Sequence, residues 1–239
     1  MALVPKLLSP LVHLLFPPLC LHCEKRMKNH AYPFCFSCKE ELELLNPEYR
    51  CVHCFSLLEE KKMLCENCAQ QKAPYKRVAS VFEYLSPAGS LVKALKYQSR
   101  VDFAKTLAAF MVIQFEQLGW PRPELIVPAP QTWLRSLERG FNQSKLIAEH
   151  MSEMLEIEMQ DVLKRKAGGF SQNKLSKEAR KDLDESLFTL KKNADLSDKV
   201  ILLIDDVMTT SSTIRCCGKA LQEGLPKSIY ALTFCFAEK

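Results

Sequence analysis

No stretch of the 239-residue chain is long and apolar enough to cross a bilayer. The nearest approach is the first 19 residues, MALVPKLLSPLVHLLFPPL, and they make a poor leader. Lys6 sits inside the apolar run, Pro5, Pro10, Pro17 and Pro18 interrupt it, and no small-x-small cleavage site follows. Pro17, Pro18 and Leu19, just ahead of Cys20, also lack the small residue of a lipoprotein site. The stretch is expected to be a short amphipathic segment packed on the next domain, and the protein to be cytoplasmic. Charge bias is weak as well: 33 basic against 28 acidic side chains give a net charge of +5, which permits contact with phosphates without demanding nucleic acid. There is no GxxxxGK[ST], so a nucleotide-triphosphate loop is set aside.

What the chain has in excess is cysteine, unevenly spread. Eight of its eleven cysteines fall between Cys20 and Cys68. Cys216, Cys217 and Cys235 lie in apolar, periodic segments and read as small buried hydrophobes. The boundary is drawn near Gln71–Pro74, giving two units, 1–72 and 73–239. Beyond it, strands and helices alternate. Val78–Tyr84 reads as a strand, Gly89–Tyr97 as a helix, and Phe103–Leu118 as a helix with Phe103, Leu107, Phe110 and Met111 on one face, stopped by Gly119 and Pro121. Leu125–Val127 is a short strand running into Pro128-Ala129-Pro130. Asn142 is placed to cap a helix through Leu155 whose apolar face carries Leu146, Ile147, Met151, Met154 and Leu155. Lys164–Lys181, polar and rich in Lys and Arg, reads as a long loop. Val200–Ile204 reads as a buried parallel strand, Ser212–Glu223 as a helix stopped by Gly224, and Ile229–Phe236 as a last strand. This order predicts an α/β domain with a mostly parallel sheet.

The eight clustered cysteines form four CxxC pairs: Cys20/Cys23, Cys35/Cys38, Cys51/Cys54 and Cys65/Cys68. Eleven residues separate the first pair from the second and ten the third from the fourth. That is the layout of zinc ribbons, in which two knuckles each give two thiolates to a tetrahedral site. One CxxC would be weak evidence, since it is also a redox motif. With no export signal, disulfides are disfavoured. Two structural Zn²⁺ are expected, pairing the cysteines sequentially, with a cross-braced arrangement open. His22, His30 and His53 are not needed as ligands. Lys25, Arg26 and Lys28 near the first knuckle suit phosphate contact, or simply a solvated charged face.

The segment VILLIDDVMTTSST, Val200–Thr213, runs an apolar strand into two acids and then five hydroxyl residues. In open α/β sheets ligands bind beyond the carboxyl ends of strands. A helix N-terminus there offers free N–H groups and a positive dipole end to a phosphate. The aspartates would repel a bare phosphate but suit hydroxyls attached to it, so the pattern fits a sugar phosphate. Read locally, an acidic turn with an N-cap remains the plainer alternative.

This segment resembles the phosphoribosyl-pyrophosphate motif of type I phosphoribosyltransferases. LVKALKY, LIVPAP, ERGFNQS and a Q-x-x-LS-x-x-x-R run (Gln172, Leu175, Ser176, Arg180) follow the cysteine ribbons in the order seen in the ComF family of competence-associated proteins, and the chain is similar to that family from Leu15 to Phe236. The resemblance implies a phosphoribosyltransferase-like sheet behind a double zinc ribbon. It implies Asp205, Asp206 and Arg180 as catalytic residues, with the two aspartates on the ribose hydroxyls, and Thr209, Thr210, Ser211, Ser212 and Thr213 around the 5-phosphate. Pro128, Ala129 and Pro130 would approach the pyrophosphate, aided by Mg²⁺ and Lys96, with Arg139 and Asn142 just beyond. The loop carrying Gln172 and Arg180 would be the hood that closes over the substrate. Two positions depart from the family pattern: Ser211, where relatives commonly keep glycine, and Leu183, where they keep asparagine. If catalytic, the protein would be a glycosyltransferase displacing pyrophosphate at C1 of ribose. The resemblance implies a role in DNA uptake during natural transformation, handling incoming single-stranded DNA and meeting the uptake machinery. A nucleotide-salvage or nucleotide-synthesis transferase of unknown acceptor, and a zinc-ribbon nucleic-acid adaptor with a vestigial sugar-phosphate site, are the alternatives.

Overall fold

The computed structural model describes residues 17–27, 32–131, 140–165, 187–192 and 194–238. The leader-like residues 1–16, and with them Lys28, His30, Arg139, Lys166, Gln172, Leu175, Ser176, Arg180 and Leu183, lie outside the described residues.

The cysteine-rich segment supplies two short helices, α1 (Phe36–Glu40) and α2 (Glu66–Ala69), each entered from a cysteine. The alternation then follows: β1 (Arg77–Glu83), α3 (Pro87–Tyr97), α4 (Phe103–Leu118), β2 (Leu125–Pro128), α5 (Gln143–Leu155), β3 (Leu163–Arg165), β4 (Phe188–Leu190), β5 (Val200–Met208), α6 (Ser212–Gln222) and β6 (Ser228–Phe236). Strands β1, β6, β5 and β2 form a four-stranded parallel sheet in that order. Five consecutive residues of β5, Val200–Ile204, are buried, as a strand covered on both faces requires. Helices α4 and α5 pack on each other, α5 against β2 and β5 and α4 against β6, while α6 packs on β5 and on the hairpin.

Local chemistry explains most element ends. Gly119 takes the left-handed conformation, φ +58°, that closes α4. Asn142 caps α5, its side chain accepting from the N–H groups of Ser144 and Lys145 at 3.0 and 3.4 Å. Four expectations are corrected. Lys164 and Arg165 belong to no loop; they continue β3, which pairs with β4 in an antiparallel hairpin anchored by buried Leu163 and Phe188, and the rest of the expected loop, 166–181, lies outside the described residues. Strand β5 does not end at Ile204; the β6 ladder carries it to Met208, opposite Phe236. Gly224 does not supply the left-handed stop after α6. Leu225 does, at φ +54°, and Gly224 is small because a Cβ there would stand 2.9 Å from the Leu196 side chain. Met154 is exposed and Leu146 only half-buried, so the inward face of α5 is Ile147, Ala148, Met151 and Leu155. Cys216, Cys217 and Cys235 are buried, as a small-hydrophobe role requires.

The cysteine-rich segment closes the open edge of the sheet. On the side of β1 away from β6, the Leu45 N–H donates to the Val81 carbonyl and the Val78 N–H donates to the Val52 carbonyl, both at 2.8 Å. Arg50 pairs with Glu83 at 2.6 Å, and Phe55 meets Phe236 edge-on. An edge strand that would otherwise present free backbone groups is thereby occupied. Phe34 and Phe55 belong to the same buried cluster as the strand residues.

Candidate functional site

Strand β5 is paired unequally. Its partner β6 follows it to Met208, but β2 leaves it at the Pro128↔Ile204 pair, where the Ala129 N–H still donates to the Ile204 carbonyl at 2.8 Å. Asp205 and Asp206 therefore lie in the strand but beyond the end of β2, at the carboxyl edge of the sheet. Successive strand residues face opposite ways, and the acids divide accordingly. Asp205 turns toward α5, its Oδ1 accepting from the Ser144 hydroxyl at 2.8 Å and from the Asp206 N–H at 2.9 Å. Asp206 turns toward α3 and pairs with Lys96 at 2.7 Å. Burial, and then the neighbouring charge of Asp206, push the Asp205 carboxyl up to about 7, against the pull of the Ser144 hydroxyl. Near neutral pH Asp205 is therefore protonated in a large share of molecules unless a further cation or further donors arrive.

The chain then turns through Thr209–Ser211 into α6. Thr209, Thr210, Ser212 and Thr213 are exposed, and the hydroxyls of Thr210 and Ser212 meet at 2.8 Å. Ser211 is buried in the left-handed conformation, φ +58°. Its hydroxyl lies beside the Tyr75 phenol, close enough to bear on its ionisation, without hydrogen-bond geometry to any described residue. So four of the five expected hydroxyls face outward and the fifth does not. The first N–H of α6 that closes a helical bond onto this turn is that of Arg215, to the Ser211 carbonyl at 2.8 Å, which leaves the preceding amides open toward an anion.

Across from this turn, Pro128-Ala129-Pro130 is pinned from behind. Asn142 donates its Nδ2 hydrogen to the Ala129 carbonyl at 3.0 Å while its Oδ1 caps α5, so its side chain ties loop to helix. Gln131 donates to the Phe141 carbonyl at 2.6 Å. Beside Pro130 lies a cavity of about 660 Å³ whose cations are Lys145, Lys164, Arg165 and Lys191 and whose acids are Glu149 and Asp161, the latter held by Lys191 at 2.8 Å. The structure thus brings Asp205, Asp206, Lys96, the hydroxyl turn, Pro128–Pro130 and Asn142 to one edge. Lys96 is there as the partner of Asp206. Ser144, Lys145, Lys191 and Arg215 were missed by sequence reasoning. Nothing in their local pattern distinguishes them, since each acts through a contact made only by the fold.

The eight clustered thiols fall into two groups, Cys20/Cys23/Cys35/Cys38 and Cys51/Cys54/Cys65/Cys68, each with its four Sγ atoms within 4.8 Å of one another. The pairing is sequential, not cross-braced. Sγ separations of 3.6 Å for Cys23–Cys35 and 3.7 Å for Cys54–Cys65 match the edge of a tetrahedron of about 3.8 Å that Zn–S bonds of about 2.3 Å define. Backbone N–H groups of Cys35 and Cys65 point at the sulfurs of Cys20 and Cys51, 3.3 and 3.4 Å away, as donors to thiolates do. Both groups fit a divalent ion held by four thiolates, with no position left for water. His22 is engaged with Ser90 and His53 packs edge-on against Tyr75, so neither is a ligand.

A parallel α/β sheet with two acids and a hydroxyl turn at the tip of an inner strand, a hairpin ahead of that strand, and two four-cysteine clusters before the sheet agree with the phosphoribosyltransferase-like architecture that the sequence resemblance implies. No family model matches the chain. It is 26% identical over 210 residues to Competence protein F of Haemophilus influenzae, covering 85% of this chain and 90% of the relative. It is 26% identical to DNA utilization protein YhgH of Escherichia coli, covering 83% and 88%. It is 24% identical to Competence protein ComFC of Bacillus subtilis, covering 83% and 82%. Over most of its length the chain is thus similar to proteins named for competence and DNA utilization, in line with the ComF resemblance of its motifs. Among solved structures, it matches an allosteric regulatory enzyme of purine biosynthesis at TM-score 0.39 and 13% identity, over 56% of this chain and 25% of that one. It also matches a purine phosphoribosyltransferase of Pyrococcus horikoshii at TM-score 0.35 and 17% identity, over 57% and 82%.

Two measurements test this geometry. Elemental analysis of purified protein should return about two zinc ions per chain, four thiolates to each; a value near one refutes one of the two sites. Ser211→Gly should raise stability by about 1 kcal/mol, because a left-handed residue with a Cβ costs about 1–2 kcal/mol and glycine gives part of that back in chain entropy. For a chain of this size that is a rise in Tm of about 2–4 °C; an unchanged or lower Tm contradicts the strain.

Proposed function

We propose that the protein binds phosphoribosyl pyrophosphate with Mg²⁺ at the carboxyl edge of the sheet and acts in DNA uptake, handling incoming single strands as the competence and DNA-utilization names of its relatives suggest. In this reading residues 1–72 form a ribbon unit with two structural zincs and residues 73–239 a phosphoribosyltransferase-like unit. The observation that carries the ligand is the enclosed acid pair beside an open helix N-terminus. The amides of α6 and the outward hydroxyls of Thr209, Thr210, Ser212 and Thr213 suit a phosphate, with Ser211 contributing backbone alone. Asp205 and Asp206 suit ribose hydroxyls or a Mg²⁺ ion, either of which supplies what the pair lacks. Pro128–Pro130 lies where a pyrophosphate would extend, and Asn142 holds that loop in place. Arg139, Gln172 and Arg180 retain the roles the family resemblance gives them.

Were transfer to occur, a bond from an acceptor to C1 of ribose would form as the C1–O bond to pyrophosphate breaks. Positive charge would develop on the sugar, the carboxylates would offset it, and Mg²⁺ would take up charge on the leaving group. The cations around the 660 Å³ cavity favour an anionic partner beside the site, which suits a nucleic-acid backbone better than a neutral base.

Calorimetry on the full chain tests the donor. Phosphoribosyl pyrophosphate with Mg²⁺ should bind, and Asp205→Asn or Asp206→Asn should weaken it roughly ten- to hundredfold, the value of a hydrogen bond to a charged group. Ligand hydroxyls or Mg²⁺ favour the ionised Asp205, lowering its pKa from about 7, so binding should release protons and tighten as pH rises from about 6 to 8. Absence of binding to the wild type sinks this reading. For nucleic acid, single-strand affinity should fall with salt and fall further in Lys164→Ala/Arg165→Ala, since each lost phosphate contact lowers the salt slope by about 1. Binding that ignores both salt and the double substitution leaves the hairpin without a role in it.

A further inference from the structure

The second four-cysteine cluster and the hydroxyl turn share a wall. A cavity of about 280 Å³ lies between them, with Asn67, Gln71 and three thiols of the cluster on one side and Thr209, Thr210 and Arg215 on the other. Arg215 belongs to the first turn of α6. Its backbone N–H donates to the Ser211 carbonyl at 2.8 Å, and its guanidinium Nη2 stands 3.9 Å from the Cys68 sulfur. The underside of the same turn is fixed by the ribbon. Tyr75, buried, donates its hydroxyl hydrogen to the carbonyl of His53, between Cys51 and Cys54, at 2.7 Å, and its ring packs edge-on against His53. Ser211 lies against that phenol. Helix α6 is drawn in close: a Cβ on Gly218 would fall 2.9 Å from the Pro74 ring, and Gln222 donates to the Pro74 carbonyl at 3.3 Å.

Four thiolates around a divalent ion leave a net charge of about −2. A guanidinium beside one of those sulfurs offsets that charge and donates to a ligand atom, the part that outer partners play in holding metal sites. We propose that Arg215 is a positioning residue through which metal at Cys51/Cys54/Cys65/Cys68 sets the conformation of the hydroxyl turn. With the ion held, the guanidinium is fixed on Cys68. Its own backbone fixes the Ser211 carbonyl, while the ordered knuckle fixes Tyr75 under the Ser211 side chain. The strained left-handed serine is then braced from two directions, and the amides at the start of α6 stay aimed outward. Loss of the ion removes both braces. The consequence for phosphoribosyl pyrophosphate rests on the proposed function; the coupling itself does not.

The test uses the full, zinc-loaded chain as wild type, Arg215→Ala and Arg215→Lys. Zinc release to the chelator 4-(2-pyridylazo)resorcinol is timed, and amide hydrogen exchange is followed over residues 209–214, with α5 as the internal control. In Arg215→Ala one of the two ions should leave about tenfold faster, the other at the wild-type rate. Exchange over 209–214 should rise without a rise in α5, and chelation of the wild type should raise exchange over the same residues. Arg215→Lys, which keeps the charge, should recover a good part of the retention. Release of both ions at wild-type rates from Arg215→Ala, or exchange over 209–214 indifferent to chelation, overturns the proposal. Should Arg215→Ala fail to fold, chelation of the wild type decides alone. Phosphoribosyl pyrophosphate separates this proposal from the one before it. If the ligand does not bind the wild type while release and exchange shift as stated, the coupling stands and the ligand reading falls. If it binds while release and exchange do not shift, the reverse holds.

Discussion

The ladder between β5 and β6 runs to the Met208↔Phe236 pair, while the ladder between β5 and β2 stops at Pro128↔Ile204. Because β6 continues, Asp205 and Asp206 keep strand geometry and point to opposite faces, one toward Ser144 on α5 and one toward Lys96 on α3. Because β2 stops, the same residues have no β2 partner on that side, and the last bond there is from the Ala129 N–H to the Ile204 carbonyl. Had both neighbours ended together, the acids would sit in a mobile turn with no fixed direction. Had both continued, they would be sealed in the sheet. The unequal pairing is what leaves an enclosed carboxyl pair with strand geometry and no strand neighbour on one side.

The ribbon segment is part of the same construction. Strand β1 is one of the two edge strands, and its Val81 carbonyl and Val78 N–H are taken by Leu45 and Val52. A row of free backbone groups invites pairing with another chain, so the cover has value apart from any metal. It also brings the second cluster round to the carboxyl edge of the sheet, where Tyr75 and Arg215 join it to α6. Two CxxC knuckles could have been carried on a tether. Here they are continuous with the buried cluster of the sheet through Phe34 and Phe55, so rearrangement in the ribbon reaches the core.

Local signals made much of this legible. The four CxxC pairs announce two four-sulfur clusters, while the choice of sequential over cross-braced pairing is made by the fold. Asn142 and Gly119 declare the ends of α5 and α4 by cap chemistry alone. What was misread depends on partners distant in sequence. The length of β5 is set by β6, so a periodicity that ended at Ile204 could not reveal the four further strand residues. Lys164 and Arg165 take strand form because Thr189 and Phe188 lie opposite them. The role of Gly224 depends on Leu196, and that of Lys96 on Asp206, 110 positions away. At the site, the residue types were readable while their directions were not.

Ser211 shows why direction decides the chemistry. In sequence, a serine where the family resemblance expects glycine raises two objections: the left-handed backbone is strained, and a side chain stands where a phosphate would have to approach. The structure separates them. The strain is present, at φ +58°, but the hydroxyl is turned inward against Tyr75 and away from the exposed residues of the turn. The path to the amides of Ser212, Thr213 and Ile214 is not crossed by it. The departure from glycine therefore costs stability rather than access, on the order of 1 kcal/mol. A turn held against that cost needs support from beneath, which the Tyr75–His53 contact and the Arg215 amide supply. The serine makes the turn more dependent on the ribbon than a glycine would, so that an ion held by the second cluster would bear on a loop it does not touch.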